Sequence, residues 1–477
     1  MPPVRVSILM AVYNEANSIR AVLDRVVAAP ASYFDEEQIT LELIVVDNGS
    51  QDKSPQVVEE FSRTHPGVAL RLIQLSKNDG KGAGIRIALA QAQSDFCVIQ
   101  DADFEYDPAD YPKLLKPLLA GDADIVLGSR FMSDLARRPL GFWQAIVNRL
   151  INTATGVVVD LALSDVETGF KAFRTSLAQS VPLRGDRFGF DPELVIQFAK
   201  RRARFLEVPI TYHGRTAEQG KKIRPWDTVD ALWTIVRTGL FSPAYKDAGA
   251  HILATMSRAK RFNAWMADTI SPWIKGEVLE LGAGIGNLTM LLSSDCVRYV
   301  ATDTDQEHIF ELQSRMEYRA NIEIAPFDFT SAQEVERFRH SADTVVCLNV
   351  LEHVEDDVTA LANIHRCLRP GGAAIILVPQ DPKLFGSIDR VLEHKRRYTR
   401  EDLSNKMTIA GFRVAEIIEF NRATRPGWYL NSCILNRTTI SPTQLRLFDL
   451  FVPLWRRIDH KLPWPSNSLI AIGVVSH

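Results

Sequence analysis

FCVIQDADFEYDP, residues 96–108, decides how the first half of this chain folds. Four apolar residues run without a break into Gln100 and Asp101, and a second carboxylate, Asp103, follows two positions on. A short apolar run bounded by polar turn residues reads as a strand buried on both faces of a parallel sheet. The same pattern recurs on either side of it. VSILMAVY (Val6–Tyr13) is followed by Glu15, LELIVVD (Leu41–Asp47) ends on Asp47, and LRLIQL (Leu70–Leu75) and DIVLGS (Asp124–Ser129) complete the series, with helical stretches between. Strands alternating with helices argue an α/β fold. In an open α/β sheet ligands bind beyond the carboxyl ends of the strands, so Glu15, Asp47, Asp101 and Asp103 are expected at one edge. Carboxylates held that close disfavour each other's ionisation unless a cation lies between them. A divalent ion with oxygen ligands, Mg2+ or Mn2+, resolves the conflict, and it would also bridge a diphosphate and stabilise it as a leaving group. On these residues alone, a solvated acidic loop explains Asp101 and Asp103 equally well.

A second alternation begins at EVLELGAGIGN (Glu277–Asn287) and continues through VRYVATD (Val297–Asp303), IEIAPFD (Ile322–Asp328), DTVVCLNV (Asp343–Val350) and AAIILVP (Ala373–Pro379). Between the two series only helical periodicity is legible, over Trp226–Leu240. The chain has 477 residues, and single cores stop growing at roughly 250–300. Two α/β domains are therefore expected, over 1–240 and 256–477, with a linker at 241–255. The balance of 55 Lys+Arg against 58 Asp+Glu gives a net charge of -3, without the overall basic footprint of a nucleic-acid binder. Five scattered cysteines with no C-x-x-C pair point to reduced thiols. No stretch reaches the roughly 18 uninterrupted apolar residues of a spanning helix, and no export signal is legible. A cytoplasmic location is expected.

In the first half SILMAVYNEANSI, VVDNGSQDKS, KNDGKGAGIRIAL, QDADFEYDP, VLGSRFM, SDVETGFKAFR and EVPITYHGRTAEQGKK follow one another in that order. The set resembles the family 2 glycosyltransferases of the GT-A fold, and most of all their dolichyl- or polyprenyl-phosphate sugar transferases. The resemblance implies that Ala11, Tyr13, Glu15 and Asp47 hold the nucleotide of a UDP- or GDP-sugar, and that Asp101 and Asp103 form the metal-and-diphosphate motif. It further implies Glu105 as an additional metal ligand, and Arg130, Arg215, Lys221 and Lys222 as cations facing phosphates. Asp165 falls where the family orients or deprotonates the acceptor, so Asp165 and Asp103 are the expected catalytic residues of this half. The relatives often have Pro where Ala11 stands and Asp where Asn48 stands. The implied chemistry inverts the anomeric carbon. A lipid-phosphate acceptor is already mostly ionised near neutral pH, and Asp165 would then position it; a sugar hydroxyl would require Asp165 to take a proton.

In the second half Glu280-Leu281-Gly282-Ala283-Gly284-Ile285-Gly286-Asn287 ends a strand and opens a helix. The sixth position of a dinucleotide fingerprint would be Gly, and here it is Asn287. With VATDTD, APFDF, LNVLEHVEDD and LRPGGAAIILVPQ after it, the stretch resembles the class I methyltransferases that use S-adenosylmethionine, with a Rossmann-like sheet. The resemblance implies cofactor contacts from Glu280, Gly282, Ala283, Gly284, Gly286 and the backbone near Asn349 and Val350. It implies Asp303 at the ribose hydroxyls and Asp328 near the adenine. If the methyl acceptor is a hydroxyl, His353 and His394 are the candidates to remove its proton, His394 first, because histidine titrates near neutral pH.

Together these readings make the chain a bifunctional transferase. One half would move a sugar from a nucleotide sugar to a polyprenyl phosphate or glycan. The other would methylate a pathway-related acceptor. Two alternatives stand beside this: extension of a saccharide chain with methylation as its terminator, and a non-catalytic scaffold role for one domain. A stripe at Trp143, Ile146, Val147 and Leu150, and another at Leu232, Trp233, Ile235, Val236, Leu240 and Phe241, fit either core packing or peripheral contact with the inner face of a membrane. The tail Leu445–Arg457 is amphipathic and fits a pocket cap, a lipid contact or packing between domains.

Overall fold

The computed structural model describes residues 3–28, 31–132, 141–214, 225–246, 252, 254–294, 296–316, 319–439 and 441–476. The chain divides into two compact units, Met1–Lys246 and Asp247–His477.

The first unit is built on a seven-stranded sheet: β1 (Val4–Val12), β2 (Ile39–Asp47), β3 (Ala69–Gln74), β4 (Phe96–Ile99), β5 (Ile125–Ser129), β6 (Lys171–Arg174) and β7 (Phe205–Pro209). Their spatial order is β3-β2-β1-β4-β6-β5-β7. Val6, Ile8, Leu9, Val45, Val46, Val98, Val126 and Leu127 have no exposed surface, as a sheet covered by helices on both faces requires. The order reverses between β1 and β4, which opens a crevice beyond their carboxyl ends. β6 runs antiparallel to both of its neighbours and pairs its Lys171 with Ile99 of β4 and with Leu127 of β5. That single reversed strand matters for the site. The residues leading into it, 165–170, are thereby laid across the exits of β4 and β5.

The second unit has a seven-stranded sheet of its own: β8 (Glu277–Leu281), β9 (Arg298–Asp303), β10 (Ile322–Pro326), β11 (Ala342–Leu348), β12 (Leu368–Pro379), β13 (Arg413–Phe420) and β14 (Ser468–Val474). The order is β10-β9-β8-β11-β12-β14-β13, with the reversal between β8 and β11. β14 is antiparallel to both β12 and β13, and its Leu469, Ile470, Ala471 and Ile472 are fully buried. Part of the chain's last stretch is therefore core. Strands β6, β7, β13 and β14 are not among the expected ones; β6 and β14 are inserted between neighbours, and β7 and β13 are edge strands.

Two apolar faces were ambiguous in sequence. The helices Phe142–Val159 and Pro225–Phe241 pack on one another, with Gly239 against Val158. Ile151, Ala231 and Ile235 go inside, whereas Trp143, Leu240 and Phe241 are 75%, 74% and 75% exposed. Among the described residues no helix is long and apolar enough to cross a membrane. The amphipathic tail is the helix Pro442–Ile458, which lies on the helix Lys260–Ile270 of its own unit. Leu445 and Val452 are buried there, the Asp449 carboxylate accepts the Phe262 amide at 2.9 Å, and Arg456 pairs with Asp268 at 2.6 Å.

Candidate active sites

In the first unit the strand exits bring four sequence motifs to one edge. Register pairs Val12 with Asp47 and Leu9 with Ile99, so Tyr13, Asp47 and Asp101 leave the sheet side by side. Tyr13 stands 41% exposed. Glu15 accepts the Ser18 hydroxyl at 2.5 Å, and the same hydroxyl reaches the carbonyl of Ala102 at 3.1 Å, which ties the first motif to the acidic loop. Asp47 is buried; its Oδ2 caps the turn at Ser50, and its Oδ1 has no partner. Ala11 lies under the glycine-rich helix Lys81–Gln91, where a Cβ on Gly84 would come within 2.9 Å of the Ala11 Cβ. Proline in that position would add bulk to an already closed contact, which rationalises alanine here.

Asp101 and Asp103 both keep some exposure at this edge. Asp101 Oδ1 lies 2.5 Å from Lys81 Nζ, and Asp103 Oδ1 accepts the Glu105 amide at 2.9 Å. Two half-buried carboxylates stand here beside a lysine, and carboxylate oxygens are the donor type that Mg2+ and Mn2+ take. Glu105, two positions beyond Asp103, is buried, and its carboxylate receives the Tyr212 hydroxyl at 3.2 Å. The rings of Tyr106, Tyr212 and Phe170 pack together beside it.

Asp165 has no exposed surface, and both its oxygens belong to Arg130: Nε to Oδ2 at 2.7 Å, a terminal guanidinium nitrogen to Oδ1 at 2.6 Å, and the Arg130 amide to Oδ2 at 3.0 Å. Glu207 holds the same turn by accepting the amides of Ser164 and Asp165. Gly169 sits so tightly over the acidic loop that a Cβ there would lie 2.4 Å from Asp101 Oδ2 and 2.8 Å from Lys81 Nζ. Asp165 and Asp101 thus flank one another through Gly169. Arg215, Lys221 and Lys222 lie outside the described residues. Sequence reasoning missed Lys81, although it is the lysine that opens the glycine-rich helix in KNDGKGAGIR. It also missed Glu167, whose carboxyl burial and the nearby Asp191 push up to about 8.

In the second unit the loop after β8 is shaped by glycine. Gly282 has φ +64, and a Cβ on it would meet Val350 Cγ2 at 2.4 Å, so only glycine lets the β8 and β11 exits close on each other. Ala283 donates to the Thr302 carbonyl at 2.8 Å, and Gly284 donates to Asp303 Oδ2 at 2.8 Å. Gly286 turns back against Leu312. Burial alone would raise the Asp303 carboxyl, but the His308 ring and the amides of Asp305 and Gly284 outweigh it and hold the group below its usual range. Asp303 therefore stays an acceptor at the loop. Asp328 Oδ1 receives the amide and hydroxyl of Thr330, at 2.8 and 2.6 Å. Asn349 is exposed in a left-handed conformation, φ 55, at the end of β11.

Glu280 lies beneath the loop, 4% exposed, with Oε2 accepting the Thr289 hydroxyl at 2.6 Å. Burial pushes its carboxyl from an ordinary value near 4.5 up to about 7. Between those values the unfolded chain releases a proton that the fold retains, so stability falls as pH rises, and the slope ends once the folded group titrates. Glu280→Gln is expected to flatten this part of the stability curve. Thermal denaturation of both proteins at pH 5 and pH 8 checks it; an unchanged difference between the two pH values would contradict the assignment.

His394 hydrogen-bonds through Nδ1, and its Nε2 lies beyond hydrogen-bond distance of the nearest carboxylate. Nδ1 lies 2.9 Å from Asp389 Oδ1, which Arg397 also grips at 2.8 Å, and Nε2 lies 3.8 Å from Glu352 Oε1. The His353 ring stands edge-on at 4.9 Å between centroids.

The two edges thus define two ligand-binding units of different kinds. Residues 7–181 match the family model described as glycosyl transferase family 2, and residues 279–374 match the one described as a methyltransferase domain. The first unit carries a family 2 glycosyltransferase domain and the second a methyltransferase domain. A dodecaprenyl-phosphate galacturonate synthase of Rhizobium johnstonii is 30% identical over 211 residues, 44% of this chain and 59% of that protein. A dolichyl-phosphate beta-glucosyltransferase of Drosophila melanogaster is 27% identical over 234 residues, 47% of this chain and 71% of that protein. A solved complex of the Haloferax volcanii Trm112 methyltransferase activator and a methyltransferase aligns at 18% identity and a TM-score of 0.35, over 48% of this chain and 94% of that one. The chain spans about three fifths of the length of the first curated relatives it matches, 59% and 64%.

Proposed function

We propose that the first unit transfers a sugar from a UDP- or GDP-sugar to a polyprenyl phosphate with inversion, and that the second methylates an acceptor of the same pathway with S-adenosylmethionine. The observation that carries the acceptor reading is the pairing of Asp165 with Arg130 at 2.6–2.7 Å, with no exposed carboxylate surface. A carboxylate with both oxygens engaged by one guanidinium is suited to positioning its neighbours. An acceptor that needs no base fits this, and a phosphate near neutral pH is such an acceptor. Asp101 and Asp103 would hold Mg2+ or Mn2+, which when bound supplies positive charge to the departing diphosphate. Lys81 steadies Asp101, Gly169 admits the acceptor segment close to it, and Tyr13, Glu15 and Asp47 line the side where a nucleotide lies. Arg215, Lys221 and Lys222 are assigned to phosphates on resemblance.

In the second unit the support comes from the Gly284 amide on Asp303 and the closure of Gly282 on Val350. The loop offers backbone to a ligand at close range, Asp303 offers an ionised acceptor for hydroxyls, and the Asp328 turn lies beyond β10 where a flat base would end. Within the two units, the functional domains are assigned to 1–240 and 256–477, with 241–255 as the segment that links them.

The exposed Trp143, Trp233, Leu240 and Phe241 are read as a surface that rests on a bilayer carrying the lipid acceptor. Transfer from radiolabelled UDP- and GDP-sugars is the test. Label is expected in polyprenyl phosphate, from vesicles faster than from detergent, with Trp233→Glu removing the vesicle advantage alone. Label in a free sugar and none in lipid would overturn the acceptor, and an equal loss from both sources would overturn the membrane contact.

A further inference from the structure

The segment after β11 sets Glu352, which neither transferase reading uses, beside His353 and His394, the two candidate proton acceptors. Glu352 is fully buried, yet neither of its oxygens has a hydrogen-bond partner. An ionised carboxylate cannot be kept so without a compensating charge. Its oxygen, one ring nitrogen of His353 and one of His394 lie within 4.8 Å of one another, the only such group among the described residues. The Glu352 Oε1 to His394 Nε2 separation is 3.8 Å. Ligands at about 2.0–2.1 Å around a tetrahedral ion stand roughly 3.4 Å apart, so a small closure would seat one.

The surroundings are those of a ligand set. Asp389 accepts the His394 ring at 2.9 Å and is fixed by Arg397 and the Gly386 amide. This leaves the Nε2 lone pair of His394 aimed at Glu352, the carboxylate–histidine arrangement that orients metal-binding imidazoles. The Lys395 amide donates to the Glu352 carbonyl at 2.8 Å, so the two segments are held in register. His353 is exposed, which leaves an open side for further ligands. Glu352 lies two positions beyond Val350, the residue against which Gly282 closes.

We propose that Glu352, His353 and His394 form a divalent-cation site of the zinc type at the cofactor edge of the second unit, where the ion holds an oxygen-donor methyl acceptor. Two imidazoles and one carboxylate favour Zn2+ over Mg2+, and three protein ligands leave coordination positions for an acceptor oxygen. Only the role given to the ion rests on the methyltransferase reading; the site itself does not.

The full chain, stripped with a chelator, is titrated with Zn2+ and with Co2+ as a visible-spectrum probe, with Asp101→Asn/Asp103→Asn as the parent so that the first unit contributes no carboxylate pair. One equivalent of Zn2+ is expected, displacing Co2+ whose spectrum reports fewer than six ligands. His353→Gln alters an exposed residue and Glu352→Gln keeps the buried shape, so both preserve the fold. Each is expected to weaken Zn2+ by ~10–100-fold or more. S-adenosylhomocysteine binding, measured on the same variants, is expected to persist. No binding in the parent, or equal affinity in both variants, overturns the site. Zn2+ bound normally with no S-adenosylhomocysteine binding anywhere would leave the site standing and overturn the methyltransferase reading.

Discussion

Asp165→Asn is expected to cost the first unit about 3–5 kcal/mol of stability and at least ~100-fold in sugar transfer. The first figure follows from leaving Arg130, with 7% of its side chain exposed, without the charge that balances it. The second follows from position: a misplacement on the order of 1 Å in a bound reactant is worth about that factor. Gly169, four residues on from Asp165, lies directly over Asp101, so a shift of the Asp165 turn reaches the proposed metal-and-diphosphate edge through it. Chemical denaturation and initial rates check both figures. The pH dependence separates positioning from proton transfer. If Asp165 only positions, the residual rate of the variant keeps the acid limb of the parent profile. If Asp165 is the base, that limb disappears, and the lipid-phosphate acceptor loses its support.

Gly282→Ala is expected to weaken S-adenosylhomocysteine binding ~10-fold or more. The left-handed φ of +64 costs a non-glycine residue roughly 1–2 kcal/mol. The new Cβ, 2.4 Å from Val350 Cγ2, adds about 1–3 kcal/mol of overpacking. About 1.4 kcal/mol is a factor of ten. The two contributions separate experimentally. Val350→Ala in the Gly282→Ala background opens the clash without touching the backbone, so affinity measured by calorimetry returns part of the way. Full affinity in Gly282→Ala alone would mean that the ligand does not depend on this closure.

The sequence makes most of the parallel strands legible, because their apolar residues lead into a charged or glycine turn; β7, parallel to β5, is not among them. The expected Leu41–Asp47 lies wholly within β2, and the expected Val297–Asp303 departs from β9 by one residue. What it hid was set by neighbours far along the chain. β6 has four residues, and nothing in KAFR says that it runs backwards between β4 and β5. That reversal alone gives Asp165 to Arg130. Glu105 illustrates a different limit: the resemblance implies a further metal ligand there, and the bond it receives from Tyr212, more than a hundred residues away, is not legible in DADFEYD. Conversely, Glu352 and His353 are adjacent in LEHVED, and His394 joins them from 41 residues later only because the Lys395 amide bonds to the Glu352 carbonyl.

Calorimetry on the full chain tests the central claim most directly, with S-adenosylhomocysteine as one titrant and UDP or GDP with Mn2+ as the other. Two independent single sites are predicted, with the nucleotide signal lost in Asp101→Asn/Asp103→Asn and the S-adenosylhomocysteine signal untouched by it. No heat from either titrant, or a nucleotide signal indifferent to the loss of both carboxylates, would contradict the account of a chain with two separate transferase sites.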